Sequence, residues 1–223
     1  MKRMLLLLFP LLLASCGETD YSKYLEYQTE LKETNQLVSS GFPESTITFD
    51  SSFVYVGAET FILYDIARCE IHLFVDADSN KIVNRLYWMQ YEGYLPSLWP
   101  HWYEYEDEPF RTMIGGKEFY DGVNFYTVDS SRQHWSRDSD IGRVFALMES
   151  NGYTLDSEVM RIRLVHLDEE EDDELMIMYI ERMSSHGLTI ASFGENGRES
   201  ERWKVVSQGL RERVLAGMDI EFH

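Results

Sequence analysis

The sequence predicts an α+β domain built on a largely antiparallel sheet of five to seven strands with helices on one face, and three observations lead there. Runs rich in β-branched and aromatic residues cluster early, at 53–64, 69–76 and 82–91, instead of alternating with helical segments. A capped helical pattern, a strand pair and a closing helical pattern follow, at 138–152, 159–183 and 203–217. The chain has 223 residues, 44% hydrophobic and 14% aromatic, enough for one substantial core and too apolar for a disordered tail.

Each element has its own signal. Tyr21, Tyr24, Leu25, Leu31 and Val38 recur near helical spacing, and Gly41, Phe42 and Pro43 close the segment. Residues 16–45 are therefore expected to form a tether or an amphipathic helix, and residues 46–223 a single domain. Phe53 to Tyr64 and Cys69 to Asp76 read as strands, and Ile82 to Tyr91 pairs back across the turn Ala77, Asp78, Ser79, Asn80. Cys69 would share a strand face with Ile71, Leu73 and Val75, as a buried small side chain. Phe119, Val123, Phe125 and Val128 give a strand over 118–128. Asp138 or Ser139 caps a helix that buries Ile141, Val144, Phe145 and Met148 and stops at Asn151-Gly152. Val159 to Leu167 and Leu175 to Met183 form a pair across an acidic loop, the second so apolar that both its faces should be covered. Trp203, Val206, Leu210, Val214 and Gly217 mark the last helix.

The first residues carry a separate message. Lys2 and Arg3 precede the apolar stretch Met4 to Leu13, which at ten residues is too short to span a bilayer, and Leu13, Ala14, Ser15, Cys16 follow. This run resembles the lipobox of bacterial lipoproteins. The resemblance implies a signal peptide over 1–15, removal before Cys16, and lipid on the Cys16 thiol. Gly17 lacks the aspartate that resembles an inner-membrane retention signal, so the outer membrane is the expected location. Palmitate on Cys16 would hold the chain at the membrane.

Loss of Lys2 and Arg3 with that peptide changes the formal net charge from −19 to −21, a surface that repels nucleic acid and anionic headgroups. Cys69 would then be the one remaining cysteine, leaving no intrachain disulfide. The expected partners are the membrane, through lipid on Cys16, and an envelope protein or a glycan.

Four regions offer chemistry. The turn Asp76, Asp78, Asn80 resembles the first half of an EF-hand calcium loop, but Lys81 stands where that loop needs glycine and Tyr87 where it needs the bidentate glutamate. No metal or cofactor is therefore expected. The seven acids Asp168 to Glu174 are expected to form a solvated loop. Tyr87 to Phe110 is dense in rings, and Trp99, Trp102, Tyr103 and Glu104 are the candidate surface for a partner or a sugar, with a satellite core as the alternative. Arg132, His134 and Arg137, just before the capped helix, are a candidate anion site, although Asp138 and Asp140 would supply internal partners. HExxH, GxSxG, P-loop and dinucleotide patterns are absent from the sequence. The leading expectation is a non-catalytic binding domain. Its alternative is an envelope hydrolase using two carboxyls of the aromatic segment.

Overall fold

The computed structural model describes residues 20–96, 101–105, 108, 110–128 and 135–223. Cys16, Trp99, Arg132 and His134 lie outside these residues. Among the described residues the chain forms twelve strands in two sheets and two α-helices, so the class is sheet-dominated. No described helix is long and apolar enough to cross a membrane.

A short 3-10 turn, Ser22–Tyr24, leads into β1 (Thr29–Glu33), β2 (Gln36–Ser39) and β3 (Ser45–Phe49). The expected tether or helix over 16–45 is thus corrected at 29–39, where the chain forms a β-hairpin. Leu31 faces Leu37 across the β1–β2 pair, and Leu37 is fully buried, so cross-strand packing overrides the weak helical spacing. The small sheet closes when β12 (Met218–Phe222) pairs with β3, in the order β1-β2-β3-β12.

The large sheet begins with β4 (Val54–Leu63), β5 (Ala67–Ala77) and β6 (Ile82–Tyr94). It continues with β7 (Phe110–Ile114), β8 (Lys117–Thr127), the short β9 (Thr154–Leu155), β10 (Glu158–Leu167) and β11 (Asp173–Arg182). Its order is β4-β5-β6-β11-β10-β8-β7, with β9 parallel to the start of β6. The anticipated β5–β6 and β10–β11 pairs are both present.

Alternation along these strands makes two cores. Phe74, Tyr87, Tyr179 and Ile162 look toward the small sheet and toward Trp203, Leu210 and Val214 of the C-terminal helix α2 (Glu201–Ala216). Cys69, Ile71, Leu73, Val75 and Met178 look the other way, toward Val144, Phe145 and Met148 of α1 (Asp140–Ser150). The helices therefore lie on opposite faces, not on one, because the central strands are apolar on both sides and each side needs a cover. Ser139 caps α1 by accepting from Gly142 N at 3.2 Å. Gly152 takes a left-handed φ of 78° just beyond its end. At the end of α2 the Tyr87 hydroxyl donates to Val214 O at 2.6 Å. A Cβ at Gly217 would sit 2.4 Å from that hydroxyl, so only glycine lets the helix end approach the sheet.

A polar latch joins the two sheets. Glu70 accepts from the backbone N–H groups of Gln28 at 2.7 Å and Thr29 at 3.1 Å. Thr29 Oγ1 lies 2.6 Å from His72 Nε2, and the Tyr55 hydroxyl 3.1 Å from His72 Nδ1. Burial would raise the Glu70 pKa, but hydrogen bonds from His72, Thr29 and Gln28 outweigh it and hold the carboxyl low. The cluster resembles an acid, base and hydroxyl set, yet each group is spent on holding β1 against β5.

Candidate functional site

The site grows from the register of the central strands. On β6 and β11, even-numbered side chains share the face that α1 covers, and Glu92 lies directly opposite Glu174 across the pair. Two carboxyls are thereby set side by side, 9% and 3% exposed. Neither forms an ion pair among the described residues.

Neutral donors serve them instead. Gln90 Nε2 donates to Glu92 Oε2 at 2.6 Å, the Cys69 thiol donates to the same oxygen at 3.2 Å, and the Tyr103 hydroxyl reaches Glu92 Oε1 at 2.9 Å. Trp88 Nε1 in turn donates to Gln90 Oε1 at 3.1 Å. The Tyr105 hydroxyl donates to Glu174 Oε2 at 2.7 Å. Asp140, the first residue of α1, adds a third partly buried acid on this face and shares a hydrogen bond with Gln90.

Burial is the main reason all three carboxyls titrate high, and for Glu92 and Glu174 repulsion from the neighbouring carboxylates adds to it. Glu174 is pushed up to about 8, with Glu92 as the second cause. Burial, then the Glu92 charge, also drives the Cys69 thiol well above its ordinary range, so this cysteine is inert at neutral pH.

The aromatic segment splits by alternation. Tyr103 is buried and Tyr105 half-buried, and both point at the carboxyls. Tyr94 stacks on Tyr103 at 4.5 Å and on His101 at 5.1 Å, and Tyr105 packs against Tyr120 at 5.5 Å. Trp102, 52% exposed, and the exposed Glu104 point outward, and the indole N–H donates to Glu104 Oε1 at 2.8 Å. Tyr103 is therefore corrected from candidate ligand surface to packed lid, while Trp102 and Glu104 remain outside. The segment is fastened further where Tyr103 N donates to Glu171 O at 2.8 Å.

No protein family model matches this chain, and no curated protein or solved structure matches it either. The geometry of the site is thus the ground for its interpretation.

The other candidates resolve differently. Glu104 is exposed, Glu108 pairs with Arg163, and Glu92 is sealed under Tyr103, so the described acids of the aromatic segment do not converge on an open cleft. The acidic run is not uniformly solvated: Glu169 to Asp172 are exposed, but Asp173 pairs with Arg68 and Glu174 is buried. Asp168 Oδ1 accepts from the backbone N–H groups of Asp172 at 3.0 Å and Asp173 at 3.2 Å, which closes the loop on itself. In the Asp76 turn, Asp78 Oδ1 accepts from Asn80 N and Ile82 N, and Asp76 binds Arg85, so these oxygens already have partners. Arg137 is exposed and has no ion pair among the described residues, so the expected internal pairing with Asp138 or Asp140 is absent. It lines a cavity of about 640 Å³ with Trp135 and Phe145.

Glu174 and Asp140 had escaped sequence reasoning. Seven consecutive acids look alike until the register shows that Glu174 alone faces Glu92.

Proposed function

We propose that this chain is a lipid-anchored protein of the bacterial envelope, fixed through Cys16 at the outer membrane, whose domain binds a partner protein or a glycan without catalysing a reaction. The lipobox-like run at 13–16 supports the anchor. One structural observation carries the binding reading: Trp102 and Glu104 are exposed and hydrogen-bonded to each other, on a segment whose intervening Tyr103 and following Tyr105 are fastened into the sheet. An exposed ring held in one orientation loses little entropy on binding, which is why such rings anchor interfaces. The carboxyl pair beneath is sealed by tyrosines and serves the segment as its seat.

Two experiments test this. Cys16→Ser should abolish incorporation of labelled palmitate and move the protein out of the detergent phase; retained labelling would remove the anchor. A photo-crosslinking residue at position 102 in intact cells should give a discrete adduct, or be protected by added glycan. The same residue at Val205, 74% exposed on α2, is the control. Identical behaviour at both positions would end the binding reading for this surface.

A further inference from the structure

On the opposite face of the same sheet end, the large sheet meets the small one in an open trough. Two cavities of about 570 and 460 Å³ share Phe42, Lys117 and His166, so they are the two halves of one cleft. One half runs past Glu44, Phe222 and His223, and the other runs over the acidic loop at Asp168 to Glu170. Volumes of about 300–1,000 Å³ are those in which small ligands bind.

His166 gives the trough its chemistry. Its ring stacks on Phe42 at 5.5 Å and leans on Phe119 at 5.2 Å and Phe222 at 5.9 Å, so its orientation is fixed. Nδ1 lies 3.0 Å from the Glu118 carbonyl oxygen, which can only accept, so this nitrogen carries the proton. Burial, and less strongly Lys117, lowers the His166 pKa and keeps the ring neutral at neutral pH. Nε2 is then an acceptor. It has no partner among the described residues and is not sealed from solvent, which leaves it open to the trough.

We propose that this trough is a saccharide site for one or two sugar units, with a sugar hydroxyl donating to His166 Nε2. Around that acceptor stand a donor, the Lys117 ammonium, further acceptors in Glu44 and the acidic loop, and apolar walls in Phe42 and Phe222. Donors and acceptors mixed with apolar walls suit an uncharged polyol. The excess of carboxylates repels phosphates and other polyanions. The inference goes beyond the binding reading above, because it gives the domain a second surface, across the acidic loop from Tyr103, whose N–H is bonded to Glu171 O.

The test is a titration of the full lipidated chain in micelles with N,N′-diacetylchitobiose, read at the His166 ring by NMR, with inorganic phosphate and spermidine as charged probes. Saturable shifts at His166 are expected below about 20 mM sugar, with no competition from either ion. His166→Phe keeps the ring stack and should weaken binding about three- to tenfold, the loss of one neutral hydrogen bond. Phe222→Leu, a change at the outer wall, should weaken binding without unfolding and covers the case in which His166→Phe fails to fold. No saturable shift at that concentration, unchanged affinity in the folded variants, or displacement of the sugar by phosphate or spermidine would each overturn the proposal. Val205→Ala, on the exposed face of α2, is the control, and its sugar affinity should be unchanged. Sugar binding that is lost in a Trp102→Ala, Glu104→Gln variant while His166 never responds would overturn the trough and leave the outer surface as the site.

Discussion

Two glutamates near the ends of one strand show what this protein does with buried charge. Glu181 and Glu174 both lie on β11, seven residues apart, on opposite faces and almost fully buried. Glu181 is fully partnered. Arg213 of α2 holds it with Nε at 2.9 Å from Oε1 and Nη2 at 2.7 Å from Oε2, Tyr179 donates to it at 2.6 Å, and His186 lies 3.0 Å away. Burial alone would raise its pKa, but hydrogen bonds from His186, Arg213 and Tyr179 and the Arg213 charge pull it down to about 2. Glu174 has the Tyr105 hydroxyl and a second carboxyl, Glu92, beside it, and is pushed up to about 8. One end of the strand is a clamp that holds a helix. The other stores acid without a direct counter-charge under the segment that presents Trp102.

Breaking the clamp should have the largest effect. Arg213→Ala leaves the Glu181 charge in the core and should destabilise the fold by about 3 kcal/mol, the lower end for a broken buried pair because Tyr179 and His186 remain. Chemical denaturation at pH 7 measures it.

The next effect is opposite in sign. The folded pKa of Glu174 exceeds its ordinary value of 4.5, so its stabilising contribution is complete below about pH 4.5 and is lost as pH rises through about 8. Glu174→Gln should therefore match the parent near pH 4 and exceed it by about 2 kcal/mol at pH 6, where the unfolded carboxyl is already ionised and the folded one is not. For Glu181 the sign reverses: its contribution is complete above pH 4.5 and is lost as pH falls toward 2, so Glu181→Gln should flatten the acid limb of a stability profile.

Smaller changes sharpen the contrast at the lid. Tyr103→Phe removes one donor to Glu92 and should destabilise by about 1 kcal/mol, with faster amide exchange along 101–105. Trp102→Ala, outside the lid, should alter stability by less than about 0.5 kcal/mol in thermal melts.

Local signals made much of this fold legible. The β5–β6 pair was visible in its β-branched and aromatic residues and its Asx turn, α1 in Ser139 and Gly152, and the buried β11 in its unbroken apolar run. The small sheet was not, because β12 pairs with β3 from the far end of the chain, and nothing local marks that partnership. The helical spacing of Tyr21, Tyr24, Leu25, Leu31 and Val38 was a coincidence of composition, and cross-strand burial of Leu37 decided the structure. At the site, ring density located the segment, but only its period-two alternation separates Tyr103 and Tyr105 from Trp102 and Glu104. Glu174 required a register between strands some eighty residues apart.

The contrast between the ends of β11 is open to one direct measurement: a carboxyl-carbon NMR titration of the glutamate-labelled protein, with Glu174→Gln and Glu181→Gln as assignment controls. Glu181 should stay charged down to about pH 2 and Glu174 should change state near pH 8. A Glu174 midpoint at the ordinary value of about 4.5 would mean that the acid under the aromatic segment is solvated, and would contradict the sealed carboxyl pair on which this account of the site depends.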